Sequence, residues 1–541
     1  MSRRTARHGT ASAEAADFDV FHLPGLADHD VLRWATVGAV AGTLTLRYPL
    51  LRADGVRRLA DRLRAARAES LEALPAASIA RRVGAVALRF GVPGDPLRER
   101  AEPLVRAATG YSPEMVARVL DGMAADWTPA ALERLLESEF GNVATLDGFV
   151  AQGESLTEAA GDAGRHASRT RRRAFGPVLA LNLFAGNVPG VAVTALIRCL
   201  LVKAAVLGKT GRSEPVLPVL FAKALHESDA ALGGCVAVTY WPGGSAGIER
   251  AAFEEADAVI VYGAGETVRD VRARVPATTR LIEHGPGVSV ALVGAAALAA
   301  RAASNPDVES AHTGEAAARP GAASVQPDRA GAFTAASAGR ARQAASETAE
   351  QVARAVALFD QLGCVSPHAV YVERGGDVDP LGFARLLADA LAALAAELPR
   401  GSLSAAEAAA ILDFRASAEF REIGGADVRV FGATGDAYTV LYDAEPAFEA
   451  SCLHRSVRVK PIDRLENAAL HLEPLRGLLQ TVGIAGAAGR EEVIATRMAA
   501  LGACRIAALE RMPWPPADWS HDGQRPLREL VRWADLDEAR G

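Results

Sequence analysis

The stretch "VALFDQLGCVSPHAVYVERGG", residues 356–376, sets one thiol, Cys364, between an amphipathic run and a β-branched segment that reads as a strand. A cysteine there is either a small buried hydrophobe or, if a base or positive environment assists it, a nucleophile. Far upstream, "LNLFAGNVPG", 181–190, carries Asn187 in a loop between a strand and a helix. Its amide suits stabilisation of an oxyanion, with helix capping as the competing role. In "AVLGKTGRSEP", 205–215, the GKT tripeptide resembles a triphosphate-binding loop, but that loop needs a glycine where Lys203 stands, so it is excluded. Lys209, with Ser213 and Glu214 close behind, could still bind ribose hydroxyls or phosphate, or Lys209 could be a solvated rim charge. In "DAVIVYGAGETVRDV", 257–271, Gly263 and Gly265 bracket a strand-to-helix turn with Thr267 in the first helical turn. Small residues and helix N-terminal amides admit a pyrophosphate there.

Two histidines stand near these groups in the chain. His368 follows Cys364 by four residues, but on a strand that spacing separates them by about 13 Å, which points to a structural or rim role. "HDG", His521 to Gly523, reads as an Asp-Gly turn without assigned chemistry. Cys199, Cys235 and Cys452 lie in apolar contexts expected to be core, and nothing local places Cys504.

The elements that must hold these residues alternate. From Arg173 onward "VLALNLF", "AVLGKT", "CVAVTYW", "DAVIVYG" and "TRLIEHG" read as strands separated by helices, which implies right-handed crossovers and a parallel sheet. Residues 1–170 are expected to be mostly helical, 171–285 a Rossmann-type nicotinamide-binding domain, 286–480 a second α/β domain carrying Cys364, and 481–541 a C-terminal segment. The Ala, Ser, Gly and Pro composition of about 295–345 predicts a flexible surface insert.

Composition bounds the function class. The 541 residues are half apolar, with 59 basic against 65 acidic side chains for a net −6 and no long single-sign block, which argues against nucleic acid as partner. Five scattered cysteines without a CxxC pair predict a reducing compartment and no structural metal. The N-terminus lacks a secretory apolar core, and Arg198 and Lys203 interrupt the longest apolar run, so the expectation is a cytoplasmic protein without a membrane span.

In order, an Asn loop, a strand ending in Lys with Ser-Glu-Pro behind it, a Gly turn, a Glu-His-Gly segment and a cysteine resemble the aldehyde dehydrogenase superfamily over roughly residues 170–541. "FDQLGCVSPHAVYVE" and "WSHDGQRPLRELVRW" resemble its LuxC-type acyl-CoA reductase branch, known from bacterial bioluminescence. The resemblance implies an aldehyde dehydrogenase-like α/β fold, with Cys364 as nucleophile, Asn187 as oxyanion donor and Lys209 as a cofactor contact. It further implies NADPH-dependent reduction of a long-chain acyl-CoA or carrier-bound acyl group to the aldehyde, a homo-oligomer, and acyltransferase or synthetase partner subunits. NADPH is also favoured by Lys209 and Arg212, which could pair with a 2′-phosphate. Glu283 in "LIEHGPG" aligns with the general base of hydrolytic aldehyde dehydrogenases. It would be catalytic if the chain oxidises aldehydes to acids, and structural if it excludes water. A non-redox acyl-binding or scaffold protein is the third reading.

Overall fold

The computed structural model describes residues 16–41, 44–151, 170–300 and 327–537, and the chain forms two compact units, 1–285 with 526–541, and 286–525.

In the first unit, β1 (Ala16–Asp19), β2 (Val31–Gly38) and β3 (Leu44–Leu51) form a three-stranded sheet in the order β1-β3-β2. The start of the chain therefore carries a small sheet beside the expected helices. In "LTLRYPLL" the side chains of Leu44, Leu46 and Tyr48 are buried while Arg47 is exposed, a period-two pattern that helix-rich neighbours obscure. Helices α1 (Ala53–Ala66), α2 (Ala76–Ala87), α3 (Pro96–Thr109), α4 (Pro113–Asp126) and α5 (Pro129–Phe140) follow. The last three each begin with proline behind a capping Asp95, Ser112 or Thr128, whose side chain accepts a first-turn amide hydrogen.

This region is not a separate body. Buried Lys203 pairs with Asp147 at 2.6 Å, its carbonyl accepts from Arg67 Nε at 2.7 Å, and Trp127 Nε1 donates to Thr194 at 2.9 Å. A small antiparallel sheet joins β4 (Val150–Ala151), β5 (Thr170–Phe175) and the C-terminal strand Arg532–Asp537. The carboxylate of buried Glu139 anchors that C-terminal stretch by accepting from the amides of Leu527 and Arg528 at 3.2 and 3.0 Å.

Five parallel strands make the main sheet of the unit: β6 (Leu179–Leu183), β7 (Ala205–Lys209), β8 (Val236–Thr239), β9 (Ala258–Tyr262) and β10 (Arg280–His284), ordered β10-β9-β6-β7-β8. Helices α6 (Val191–Leu201), α7 (Val216–Ser228), the short α8 (Ala230–Gly233), α9 (Ala246–Glu255) and α10 (Gly265–Arg274) connect them. The chain runs outward from β6 through β7 to β8, then returns to lay β9 on the other side of β6. That reversal is the topological switch point at which doubly wound sheets open a crevice at their carboxyl edge.

The second unit is built on a seven-stranded sheet. Its strands are β11 (Val288–Val293), β12 (Pro367–Glu373), β13 (Val428–Phe431), β14 (Thr439–Asp443), β15 (Ser456–Ile462), β16 (Leu479–Ala485) and β17 (Arg505–Ala508), ordered β13-β14-β15-β12-β11-β16-β17 with only the β13–β14 pairing antiparallel. Helices α11 (Pro327–Ala357) and α12 (Pro380–Glu397) contribute to a core with Val293, Val370 and Val457, and α13 (Ala405–Ile423) lies against the β13 edge. The shorter α14 (Ala468–Leu472) and α15 (Glu491–Ala500) pack with Val290, Leu292 and Tyr371 in a second core. The segment after residue 480 therefore has no separate fold: β16 and β17 complete this sheet, and 526–537 belong to the first unit. Among the described residues, no helix is long and apolar enough to cross a membrane.

The expected flexible insert is corrected at both ends, while 301–326 lie outside the described residues. Leu298 is buried in a short 3-10 turn, and Ala341, Ala345, Ala349, Val352 and Val356 recur at helical spacing on the buried side of α11. Alanine-rich composition hid a helix whose small residues allow close approach to its neighbours. Ala345→Asp is expected to lower the unfolding free energy by about 3 kcal/mol or more, because it buries an unpaired carboxylate. Arg342→Ala, on the exposed side, should change it by less than about 0.5 kcal/mol. Urea unfolding of both variants tests the helix, since a flexible insert would tolerate either change.

Candidate active site

In the second unit Cys364 lies just before β12, the middle strand of the seven. The chain reaches it through an unusual backbone. Phe359, Asp360 and Gln361 all adopt positive φ, at 55, 50 and 66°, and so do Leu453, His454 and Arg455 at 66, 53 and 65°. Each such non-glycine residue costs roughly 1–3 kcal/mol and persists only when its surroundings hold it.

The two runs hold each other. Arg455 Nε donates to Asp360 Oδ1 at 2.8 Å, the other Asp360 oxygen accepts from Gly401 N at 2.9 Å, and Arg455 Nη1 donates to Leu398 O at 2.7 Å. Gln361 donates to the carbonyls of Pro367 and Ser456, both at 2.8 Å, and accepts from Ser456 N at 2.9 Å. The Ser289 hydroxyl donates to Cys364 O at 2.7 Å and accepts from Thr481 N at 3.1 Å, which ties the loop to β11 and β16.

Cys364 is half-buried as a residue, its thiol is desolvated, and polar groups stand around the sulfur. His521 Nε2 lies 3.9 Å from Cys364 Sγ. The His521 ring stacks on Trp519 with centroids 4.7 Å apart, and Asp522 Oδ2 stands 3.7 Å from Nε2. Gln480 Nε2 donates to Asp522 Oδ1 at 3.2 Å. Burial, followed by the charge of Asp522 and then the neighbouring Cys504 thiol, pushes the Cys364 thiol up to about 12, so the resting sulfur carries its proton.

"HDG" is indeed a tight turn, with positive φ at Asp522 and Gly523 and a bridge between His521 and Gln524. What the sequence reading did not find is that the turn aims His521 at the cysteine. The one local signal for it is a single histidine set in an aromatic, proline-rich tail. His368, by contrast, has the expected structural role: its Nδ1 accepts from Ser451 N at 3.3 Å. Cys504, unplaced in the sequence, is a neighbour of the Cys364 thiol, while Cys199 and Cys235 are buried and Cys452 only partly so.

In the first unit the other candidates gather on one edge. Asn187 follows β6, Lys209 ends β7 with Ser213 and Glu214 behind it, and Gly263, Gly265 and Thr267 follow β9. Because β9, β6 and β7 are consecutive neighbours, all three segments meet at the carboxyl edge beside the switch point. Gly186 permits the approach: a Cβ there would lie 2.7 Å from Glu214 N and 2.9 Å from Ser213 Cβ.

The Asn187 residue is exposed and its carbonyl accepts from Tyr111 Oη at 3.0 Å. Lys209 Nζ lies 5.9 Å from the centroid of the Tyr240 ring, and burial lowers its pKa against the opposing charge of Glu249. Glu214 Oε1 accepts from the amides of Val216 and Leu217 at 2.9 and 2.8 Å, capping α7. Glu283, on β10, has its two oxygens in the fork of Arg272, with Arg272 Nε at 2.7 Å from Oε1.

These glycine turns, the α10 N-terminus and a strand-end lysine are a donor set that fits a dinucleotide. The family model described as acyl-CoA reductase (LuxC) matches residues 94–317 and 333–533. The chain belongs to the LuxC acyl-CoA reductase family. It is 22% identical over 437 residues to long-chain acyl-protein thioester reductase 2 of Photobacterium leiognathi, covering 78% of this chain and 74% of the relative. Its identity to the long-chain acyl-protein thioester reductase of Aliivibrio fischeri is 24% over 439 residues, with the same two coverages of 78% and 74%. The match to the Photobacterium phosphoreum reductase is 25% identical and covers 34% of this chain and only 36% of that relative.

Among solved structures, aldehyde dehydrogenase 21 of Physcomitrella patens, in complex with succinate, superposes with a TM-score of 0.67 at 11% identity over 97% of this chain and 98% of that one. Aldehyde dehydrogenase C of Pseudomonas syringae, complexed with NAD+ and octanal, gives 0.62 at 13% identity over 99% and 98% of the two chains. The chain therefore has an aldehyde dehydrogenase-like fold.

Two measurements test the site's supports. Asp360→Ala leaves the buried Arg455 guanidinium without its carboxylate and should cost about 3–5 kcal/mol in urea unfolding. Burial raises the Glu214 carboxyl from the ordinary 4.5 to about 7. A raised value favours the protonated form in the fold, so its stabilisation is complete below 4.5 and is lost as pH rises through about 7. Glu214→Gln, which keeps an oxygen for the α7 amides, should remove about 3 kcal/mol of that pH dependence, as read from melts across this range.

Proposed function

We propose that this protein reduces a long-chain acyl thioester, presented as acyl-CoA or on an acyl-carrying protein, to the fatty aldehyde through an acyl-Cys364 intermediate, with NADPH as reductant. The observation that carries this reading is the half-buried Cys364, its thiol set among polar groups on a pinned backbone in a chain of the LuxC family. Attack of sulfur on a thioester exchanges one thioester for another, so the acyl group is captured at little cost in free energy. A nicotinamide cofactor bound at the carboxyl edge of β9, β6 and β7 would supply hydride to the acyl carbon.

In this reading Lys209, Ser213 and Glu214 contact the adenosine half, while Gly263, Gly265 and Thr267 receive the pyrophosphate at the start of α10. The amide of Asn187 stabilises the oxyanion of both tetrahedral species. Glu283 has no part as a base, because its carboxylate is engaged by Arg272 and a thioester reductase gains nothing from activating water. The P. leiognathi and A. fischeri relatives, whose names specify acyl-protein thioesters, support a carrier protein as acyl donor.

The test is transfer of radiolabelled palmitoyl from its CoA thioester. Label should attach to the wild-type chain, leave as aldehyde when NADPH is added, and fail to attach to Cys364→Ala. Release as free acid, or labelling of the alanine variant, would overturn the reading. Asn187→Ala should slow turnover by about 100-fold or more, and NADH in place of NADPH tests the cofactor.

A further inference from the structure

His521, read in the sequence as part of a plain turn, has a place that the turn alone does not explain. Its Nε2 is 3.9 Å from Cys364 Sγ, its ring is braced by Trp519, and Asp522 Oδ2 lies 3.7 Å from the same nitrogen. Asp522 is in turn held by Gln480, which is buried against Gly287, where a Cβ would collide with Gln480 Oε1. The type I′ turn presents this arrangement as a rigid unit.

We infer that His521 is the proton acceptor and donor of Cys364, a cysteine–histidine dyad in which Asp522 favours the imidazolium. The inference rests on the thioester reading above. The other titratable or charged groups facing the thiol within its unit are Asp522, Cys504 and Arg505. Burial and the charge of Asp522 oppose a standing thiolate, so deprotonation has to accompany attack.

In acylation the sulfur–carbon bond forms as the thiol proton passes to His521 Nε2. The bond from the acyl carbon to the incoming carrier's sulfur then breaks, and the departing thiolate takes that proton, giving acyl-Cys364 and a free carrier thiol. After two electrons and a hydrogen have reached the acyl carbon from the dihydronicotinamide, the oxyanion collapses and the carbon–sulfur bond breaks. Cys364 sulfur recovers a proton from imidazolium that solvent has recharged, so each aldehyde consumes one proton. Removal of a general base of this kind costs about 100-fold to 10,000-fold in rate.

The experiment measures two rates on the full-length chain, palmitoyl transfer from its CoA thioester and iodoacetamide alkylation of the Cys364 peptide by mass spectrometry, from mildly acidic to alkaline pH. Wild type should show a limb that rises as the imidazole loses its proton, because deprotonated imidazole is the acceptor, and a second, more alkaline limb from the thiolate. His521→Gln should lose the first limb in both rates, by about 100-fold or more at neutrality, and recover at alkaline pH. Equal rates in variant and wild type overturn the dyad while leaving acyl transfer intact. Absence of an acyl-enzyme in wild type, with the first alkylation limb present, overturns the thioester reading and leaves the dyad standing. If His521→Gln does not melt cooperatively, the wild-type alkylation profile decides alone: an alkaline limb without the first one rejects the dyad.

Discussion

The Asp360–Arg455 ion pair is the constraint on which the chemistry of the second unit depends. Both side chains are almost fully buried, and an unpaired charge at that depth would be expensive. Their pairing joins two backbone runs that each hold three consecutive residues at positive φ, one of which delivers the chain to Cys364. The strain has a geometric use. It ends α11 abruptly and turns the chain into the middle strand, leaving Cys364 ahead of the sheet rather than within it. Gln361 and Ser289 add neutral hydrogen bonds that stop the loop from relaxing into a shallower turn.

A second constraint shapes the first unit. Parallel strands joined by right-handed crossovers leave their connecting loops at the carboxyl edge, and a reversal of strand order separates adjacent loops into a crevice. Here the reversal lies between β6 and β9, so the Asn187 loop and the Gly263 turn flank it, with Lys209 on the next strand. The side chains that close the edge have definite local tasks. Glu214 satisfies two amides at the start of α7, and Gly186 lets the loops touch.

The electrostatics around the sulfur follow from the same architecture. Burial and the charge of Asp522 keep the proton on Cys364, which protects a resting thiol from casual oxidation and alkylation. Reactivity then depends on a partner within reach rather than on a permanently lowered thiol pKa. The aromatic brace of Trp519 keeps that partner in one orientation.

Local pattern was enough to read much of this protein. The alternation of apolar strands and helices from residue 179 to 284, and the placing of Asn187, Lys209 and Gly263 at strand ends, are features of a few neighbouring residues. The same short-range logic misled where composition masked period: β2 and β3 were absorbed into a helical reading, and the alanine-rich α11 passed for a flexible insert. Cys364 stood out by its flanks, and the Asp-Gly turn at 522–523 was legible from its residue types. Only the tertiary structure could decide that β9 lies against β6, that Asp360 meets Arg455, and that His521 reaches Cys364 across 157 residues of chain. Periodicity and turn chemistry are written into adjacent positions, whereas pairings over such separations arise from the packing of whole sheets, in which many sequences share the same local pattern.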